Sequence, residues 1–130
     1  MNTTDLETAV RTTGLDATDW AALGTVMSAK EHPRGTVLVE EGDLPTTFHV
    51  ILEGNVTVHA GGRHLADLGP GDYFGEIGVL SMANRNASVI ATTPVRVATA
   101  MGWDLRTLLE QKPDLRDKLL RAAEDRSNND

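Results

Sequence analysis

The chain has 130 residues, with 12 Lys and Arg against 19 Asp and Glu, a net charge of −7 and no cysteine. That length suits one domain able to bury about two-thirds of its unfolded surface. The acidic balance, with basic residues scattered singly, argues against nucleic-acid binding, and the lack of cysteine excludes a disulfide framework and a thiolate zinc site. No apolar run reaches membrane length and the start, Met1-Asn2-Thr3-Thr4-Asp5, is polar and acidic. The expectation is a cytoplasmic protein with no signal peptide and no membrane contact.

Leu6, Ala9 and Val10 recur at helical spacing and predict a short helix over residues 5–13. Asp16 reads as an N-cap with Asp19 at N3, opening a helix whose stripe of Trp20, Leu23, Val26 and Met27 runs to about Ala29. After His32-Pro33-Arg34-Gly35 the period switches from helix to strand. Residues 36–40, 47–53, 55–60, 63–68, 87–92 and 95–101 are short, rich in Val, Ile and Thr, and separated by Gly, Pro or Asp turns. Short strands at this spacing predict a sandwich or jelly roll. Beyond Met101, Trp103, Leu105, Leu108 and Leu109 form one helical stretch, and Pro113 opens a second carrying Leu115, Leu119, Leu120 and Ala123. Residues 125–130 read as a disordered polar tail.

The most informative segment is residues 72–88, Asp-Tyr-Phe-Gly-Glu-Ile-Gly-Val-Leu-Ser-Met-Ala-Asn-Arg-Asn-Ala-Ser. A strand end, Tyr73-Phe74, runs into Gly75, Glu76 and a short apolar turn, and Arg85 follows nine residues after the Glu. A glycine that opens a one-turn helix offers unpaired N–H groups to an anion, and an arginine can add forked donors to phosphate oxygens. Glu76 would repel a bare phosphate. It fits a ligand that carries a hydroxyl donor about one sugar away, such as the free 2′-OH of a cyclic 3′,5′-nucleotide. Taken singly, Glu76 could simply stabilise a helix dipole and Arg85 could be a solvated loop residue.

Phe74-Gly75-Glu76-Ile77, the step to Arg85, and Ala87-Ser88-Val89 resemble the phosphate-binding cassette of cyclic-nucleotide-binding domains. Outside the cassette the likeness is one of element order over about residues 20–124. The resemblance implies a mainly β fold: an eight-stranded jelly-roll barrel with helices at both ends. The chain then divides into N-terminal helices (1–30), a jelly roll (31–101) with its cassette at 73–91, and C-terminal lid helices (102–124), all in one domain. It further implies that Glu76 accepts the ribose 2′-OH and Arg85 binds the cyclic phosphate. Phe74, Gly75, Ile77, Gly78, Asn86, Ala87 and Ser88 complete the seat, largely through backbone N–H groups.

The implied ligand is cyclic AMP in preference to cyclic GMP, with no cofactor and no metal. Asn86 leaves the base choice open, because its amide could accept from a guanine amino group, donate to the phosphate, or matter only through its backbone. Leu115 and Leu119, with Leu120, are candidates for an apolar lid over the purine, although ordinary packing accounts for them equally well. The expected role is that of a stand-alone sensor, monomeric or weakly dimeric, that signals to a protein partner in trans or buffers the nucleotide.

Rival classes are weaker. The resemblance of 48–54 and 68–72 to a metal-dependent cupin enzyme lacks the required His pair, since residue 47 is Thr and no His follows His64. His59-Ala60-Gly61-Gly62-Arg63-His64 reads as a hairpin placing His59 opposite His64, a two-ligand metal grip too poor to hold an ion well. His32 and His49 read as structural. No catalytic set or P-loop is present, so the chain reads as a binding protein rather than an enzyme. A third possibility is an interaction module that no longer binds nucleotide.

Overall fold

The computed structural model describes residues 16–42, 47–74, 87–119 and 121. The expected helix at 5–13, the tail at 125–130, and Leu120 and Ala123 lie outside the described residues.

Helix α1 (Ala17–Gly24) begins at Asp16, whose carboxylate accepts the Asp19 N–H at 2.8 Å while the Asp19 carboxylate accepts the Asp16 N–H at 3.2 Å. This reciprocal box satisfies two donors that the helix start would otherwise leave open. The helix stops at Gly24 rather than at Ala29, as a turn at Thr25-Val26 donates back to Ala22 and Leu23. Residues Met27–His32 form strand β1, so the boundary of the N-terminal helical region at residue 30 is corrected. The physical reason is non-local. Strand β8 (Val95–Met101) runs antiparallel beside this segment from Met27↔Ala100 to His32↔Val95, and that pairing overrides a helical period carried only by Val26 and Met27.

The other strands are β2 (Val37–Val39), β3 (Thr47–Glu53), β4 (Val56–Ala60), β5 (Arg63–Leu68), β6 (Tyr73–Phe74) and β7 (Ser88–Ala91). Strands β3, β5 and β8 carry the bounds the sequence predicts, and β2, β4 and β7 are trimmed at their ends. They form two four-stranded antiparallel sheets, ordered β1-β8-β3-β6 and β2-β7-β4-β5. Among the described strands only the β4–β5 connection joins neighbours in one sheet; every other connection crosses to the opposite sheet. That is a jelly-roll order. Among the described strands the sheets remain open at their edges and do not close into a full barrel.

The β4–β5 hairpin turns at Gly61 and Gly62, both with positive φ, as a two-residue turn of the twisted hairpin kind requires.

Two apolar layers follow from strand alternation. Ile51, Val56, Phe74, Val89, Ala91, Val95 and Val97 pack between the sheets. Phe48, Val50, Leu52, Tyr73, Ala98 and Ala100 point the other way, beneath Trp20, Leu23 and the C-terminal helices. Strand β3 is therefore covered on both faces, which is why it reads as an almost unbroken apolar run.

Helix α2 (Gly102–Gln111) buries Leu105, Leu108 and Leu109, whereas Trp103 is 76 % exposed and does not share their stripe. A further helix, α3, spans 113–119, with Pro113 as its first residue. Its Leu115 and Leu119 are buried in the cluster with Trp20 and Leu23. Between them Lys118 donates to Asp19 at 2.8 Å and lies 3.7 Å from Asp16, so α3 is tied to the cap of α1. No helix among the described residues is long and apolar enough to cross a membrane.

The cap sets a pH dependence. The Asp19 N–H, with the Lys118 ammonium adding to it, holds the Asp16 carboxyl below its ordinary value. The hydrogen bond to Asp19 raises Lys118 above its own. A lowered carboxyl contributes stability above its unfolded value and loses it as pH falls through the folded one; a raised ammonium contributes below its unfolded value and loses it as pH rises through the folded one. Lys118→Met should therefore lower the thermal midpoint by more at about pH 7 than at about pH 2, where carboxylates are being protonated. Equal losses at both pH values in thermal melts would show that the charge is irrelevant.

Candidate functional site

The cassette spans the crossing from β6, at the edge of one sheet, to β7, in the interior of the other. Gly75, Glu76, Ile77, Gly78, Arg85 and Asn86 lie outside the described residues; Phe74, Ala87 and Ser88 are described. The entry and the exit can therefore be built from the residues upward.

The entry is held by β3. Gly69-Pro70-Gly71-Asp72 turns the chain, with Gly71 at φ 89° and the Asp72 carboxylate accepting the Gly69 N–H at 2.9 Å. Gly71 N–H donates to the Ile51 carbonyl at 2.7 Å, and Ile51 N–H to the Asp72 carbonyl at 2.9 Å. Tyr73 then pairs with Val50 and Phe74 with His49. Tyr73 goes to the helix-covered face and Phe74 between the sheets, so the last residue before Gly75 is anchored in the core.

His49 secures that anchor. Its ring stacks on Phe74 with centroids 4.8 Å apart and planes 20° apart, and its two nitrogens lie 2.9 Å from the Thr47 and Thr99 hydroxyls. The residue is 6 % exposed. Two hydroxyls, each able to donate or accept, satisfy a buried imidazole in either neutral tautomer. This is the structural role expected for His49. Sequence reasoning did not connect it to the cassette, although its place in a β3 that alternates Thr47, His49 and Ile51 on one face was the available signal.

The exit is held from a different direction. Val89 and Ala91 face the inter-sheet core, so alternation turns Ser88 to the outer face of β7, where it pairs with His59 of β4. Its hydroxyl accepts the Glu41 N–H at 2.9 Å, and the Glu41 carboxylate accepts the Gly61 N–H at 3.1 Å. Ala87 is half-buried beside it. Glu41 was not among the residues singled out from sequence, and no motif marks it.

His59 and His64 do face each other, with centroids 5.5 Å apart. Each is engaged: His59 with the Thr57 hydroxyl at 3.1 Å and His64 with Asp67 at 2.9 Å, a contact that holds the Asp67 carboxyl below its ordinary value. Among the described residues, no three His, Cys, Asp or Glu side chains gather as a metal-binding group.

Leu115 and Leu119 sit under α1 at 3 % and 0 % exposure, filling the outer layer of the fold in this arrangement.

Comparison with known proteins agrees with this architecture. The chain is 32 % identical over 94 residues to a cyclic nucleotide-gated potassium channel of Rhizobium etli, which covers 72 % of this chain and 26 % of the channel. It is 28 % identical over 116 residues to a CRP-like cAMP-activated global transcriptional regulator of Mycobacterium tuberculosis, covering 83 % of this chain and 50 % of the regulator. The chain thus spans half or less of the length of these relatives. Among solved structures, a cyclic nucleotide-binding domain from Methylobacillus flagellatus superposes with a TM-score of 0.80 at 26 % identity, covering 97 % of this chain and 78 % of that one. The family model for the cyclic nucleotide-binding domain matches residues 29–112, from β1 through α2 and across the whole cassette, and the chain belongs to that family.

Proposed function

We propose that the chain binds a cyclic nucleotide, cyclic AMP in preference to cyclic GMP, in the cassette between β6 and β7. Arg85 takes the cyclic phosphate, Glu76 the ribose 2′-OH, and the backbone N–H groups of Gly75, Ile77, Gly78, Asn86 and Ala87 complete the seat. The observation that carries this reading is the Gly75-Glu76 to Arg85 spacing inside a family match that covers the segment from end to end. Relatives named for cyclic AMP, including the regulator above and a cAMP-dependent protein kinase regulatory subunit of Hypocrea atroviridis, support the choice of base. The family is a regulatory binding domain rather than a class of enzyme.

Binding is read out by the C-terminal helices and passed to a protein partner. Channels and kinase regulatory subunits among the relatives make a protein partner the natural output. For Leu115 and Leu119 to cover a purine, α3 must leave its seat beneath α1, which breaks the Lys118 contacts and uncovers Trp20. Ligand can drive such a move only through its differential affinity for the two arrangements.

Calorimetric titration with cyclic AMP and cyclic GMP tests the proposal. Saturable heat with both, tighter for cyclic AMP, is expected, and at 100 times the Kd thermal stability should rise by about 2.7 kcal/mol. Absence of heat with either nucleotide would overturn the binding reading; tighter cyclic GMP would overturn only the base preference.

A further inference from the structure

Resting on that reading, the geometry points to Glu41 as a positioning residue for the cassette, acting through Ser88 from the outer face of the β2-β7-β4-β5 sheet. Glu41 lies just past β2, Gly61 at the tip of the β4–β5 hairpin, and Ser88 at the first position of β7. Two hydrogen bonds join these three separate stretches: Glu41 N–H to the Ser88 hydroxyl at 2.9 Å, and Gly61 N–H to the Glu41 carboxylate at 3.1 Å. The sequence separations are 47 and 20 residues, so neither bond is a by-product of local turn geometry.

The placement gives the pair its function. Ser88 follows Arg85 by three residues, and three trans peptide steps span at most about 11 Å. Whatever fixes Ser88 therefore limits where the guanidinium can start from. The inner side of β7 is held by Val89 and Ala91 in the core, but those residues lie further along the strand and tether only one face. The Glu41 N–H holds the other face at the point where the cassette ends. Gly61 N–H in turn restrains the Glu41 carboxylate, which would otherwise rotate freely. The strap thus reduces the freedom that ligand binding must remove, and keeps a negative charge turned toward the hairpin tip.

The Ser88 hydroxyl acts beside, not in place of, the backbone contacts the family resemblance implies. It faces away from the inter-sheet space and is engaged by Glu41, so its contribution to binding is to hold the exit of the cassette in register.

Five variants test this by nucleotide titration. Glu41→Ala and Ser88→Ala should each raise the Kd for cyclic AMP about three- to tenfold, the scale of one net hydrogen bond. Glu41→Gln keeps an acceptor for Gly61 and Ser88→Thr keeps the hydroxyl, so both should stay within about twofold of wild type. The Glu41→Ala/Ser88→Ala double variant should be less impaired than the product of the singles, as expected for members of one unit. Amide hydrogen exchange on the nucleotide-free protein gives a readout independent of ligand. Ser88→Ala should speed exchange at Glu41, and Glu41→Ala should speed exchange at Gly61, with the core amides of β3 unchanged. Wild-type binding that both alanine variants leave intact would overturn the role of Glu41 while sparing the nucleotide reading. A wild-type protein that binds no cyclic nucleotide would overturn both.

Discussion

Arg85→Ala is expected to weaken cyclic-nucleotide binding by tens to thousands of fold. Truncating one partner of a desolvated charged contact costs about 2–5 kcal/mol, because the other charge is left without compensation. The phosphate diester of a cyclic nucleotide keeps its charge at any pH of interest, so it cannot escape this by taking up a proton. Arg85→Lys should fall in between, since an ammonium restores the charge but not the planar fork that matches two phosphate oxygens. Glu76→Ala should lose less affinity and should lose the distinction between cyclic AMP and its 2′-deoxy analogue. Calorimetry that finds Arg85→Ala as tight as wild type would remove the arginine from the phosphate and leave the cassette without its principal cation.

Gly54→Ala is expected to be the most damaging single small substitution in the β framework, lowering stability by about 2–5 kcal/mol. Gly54 joins β3 to β4 at φ 85°, and a Cβ there would lie 2.3 Å from the Pro94 carbonyl oxygen, 2.8 Å from Val95 Cγ1 and 2.9 Å from Thr93 Oγ1. Backbone strain and a clash with a neighbouring main chain add together. That main chain cannot yield easily, because Thr93 accepts the Asn55 N–H at 3.0 Å and Thr92 N–H donates to the Asn55 carbonyl at 3.0 Å. Gly35→Ala is the control: φ is 88° there as well, but nothing lies within 4 Å of the added methyl. It should lose only the left-handed penalty of about 1–2 kcal/mol. If denaturant unfolding finds the two variants equal, the close approach of the β3–β4 and β7–β8 crossovers does not limit stability.

Much of the framework was legible before any coordinates. Asp16 and Asp19 announced a capping box, Gly61-Gly62 a two-residue hairpin turn with His59 opposite His64, and Pro113 a helix start; all three are local patterns within a few residues. The same holds for β3, β5 and β8, whose alternation or β-branched content is self-contained. Strand β1 failed that test because Met27-Ser28-Ala29-Lys30 has no strong period of its own, and what makes it a strand is β8, which arrives about 70 residues later in the chain. Trp103 differs: at 100° per residue it falls about 140–240° from Leu105, Leu108 and Leu109, so helical spacing alone sets it on the opposite, exposed face of α2.

The amino-acid sequence by itself determined the family, the candidate cassette and the strand-rich order of elements. Those depend on residue types at short, fixed separations, which is where propensity, turn chemistry and phosphate-binding spacing operate. Only the tertiary structure decided that Ser88 turns outward onto Glu41, that His49 braces Phe74, and that Leu115 and Leu119 pack beneath α1 with Lys118 clamped to its cap. Each of these contacts joins segments tens of residues apart. A hydroxyl, an imidazole or a leucine carries no mark of its partner until the sheets bring the two together.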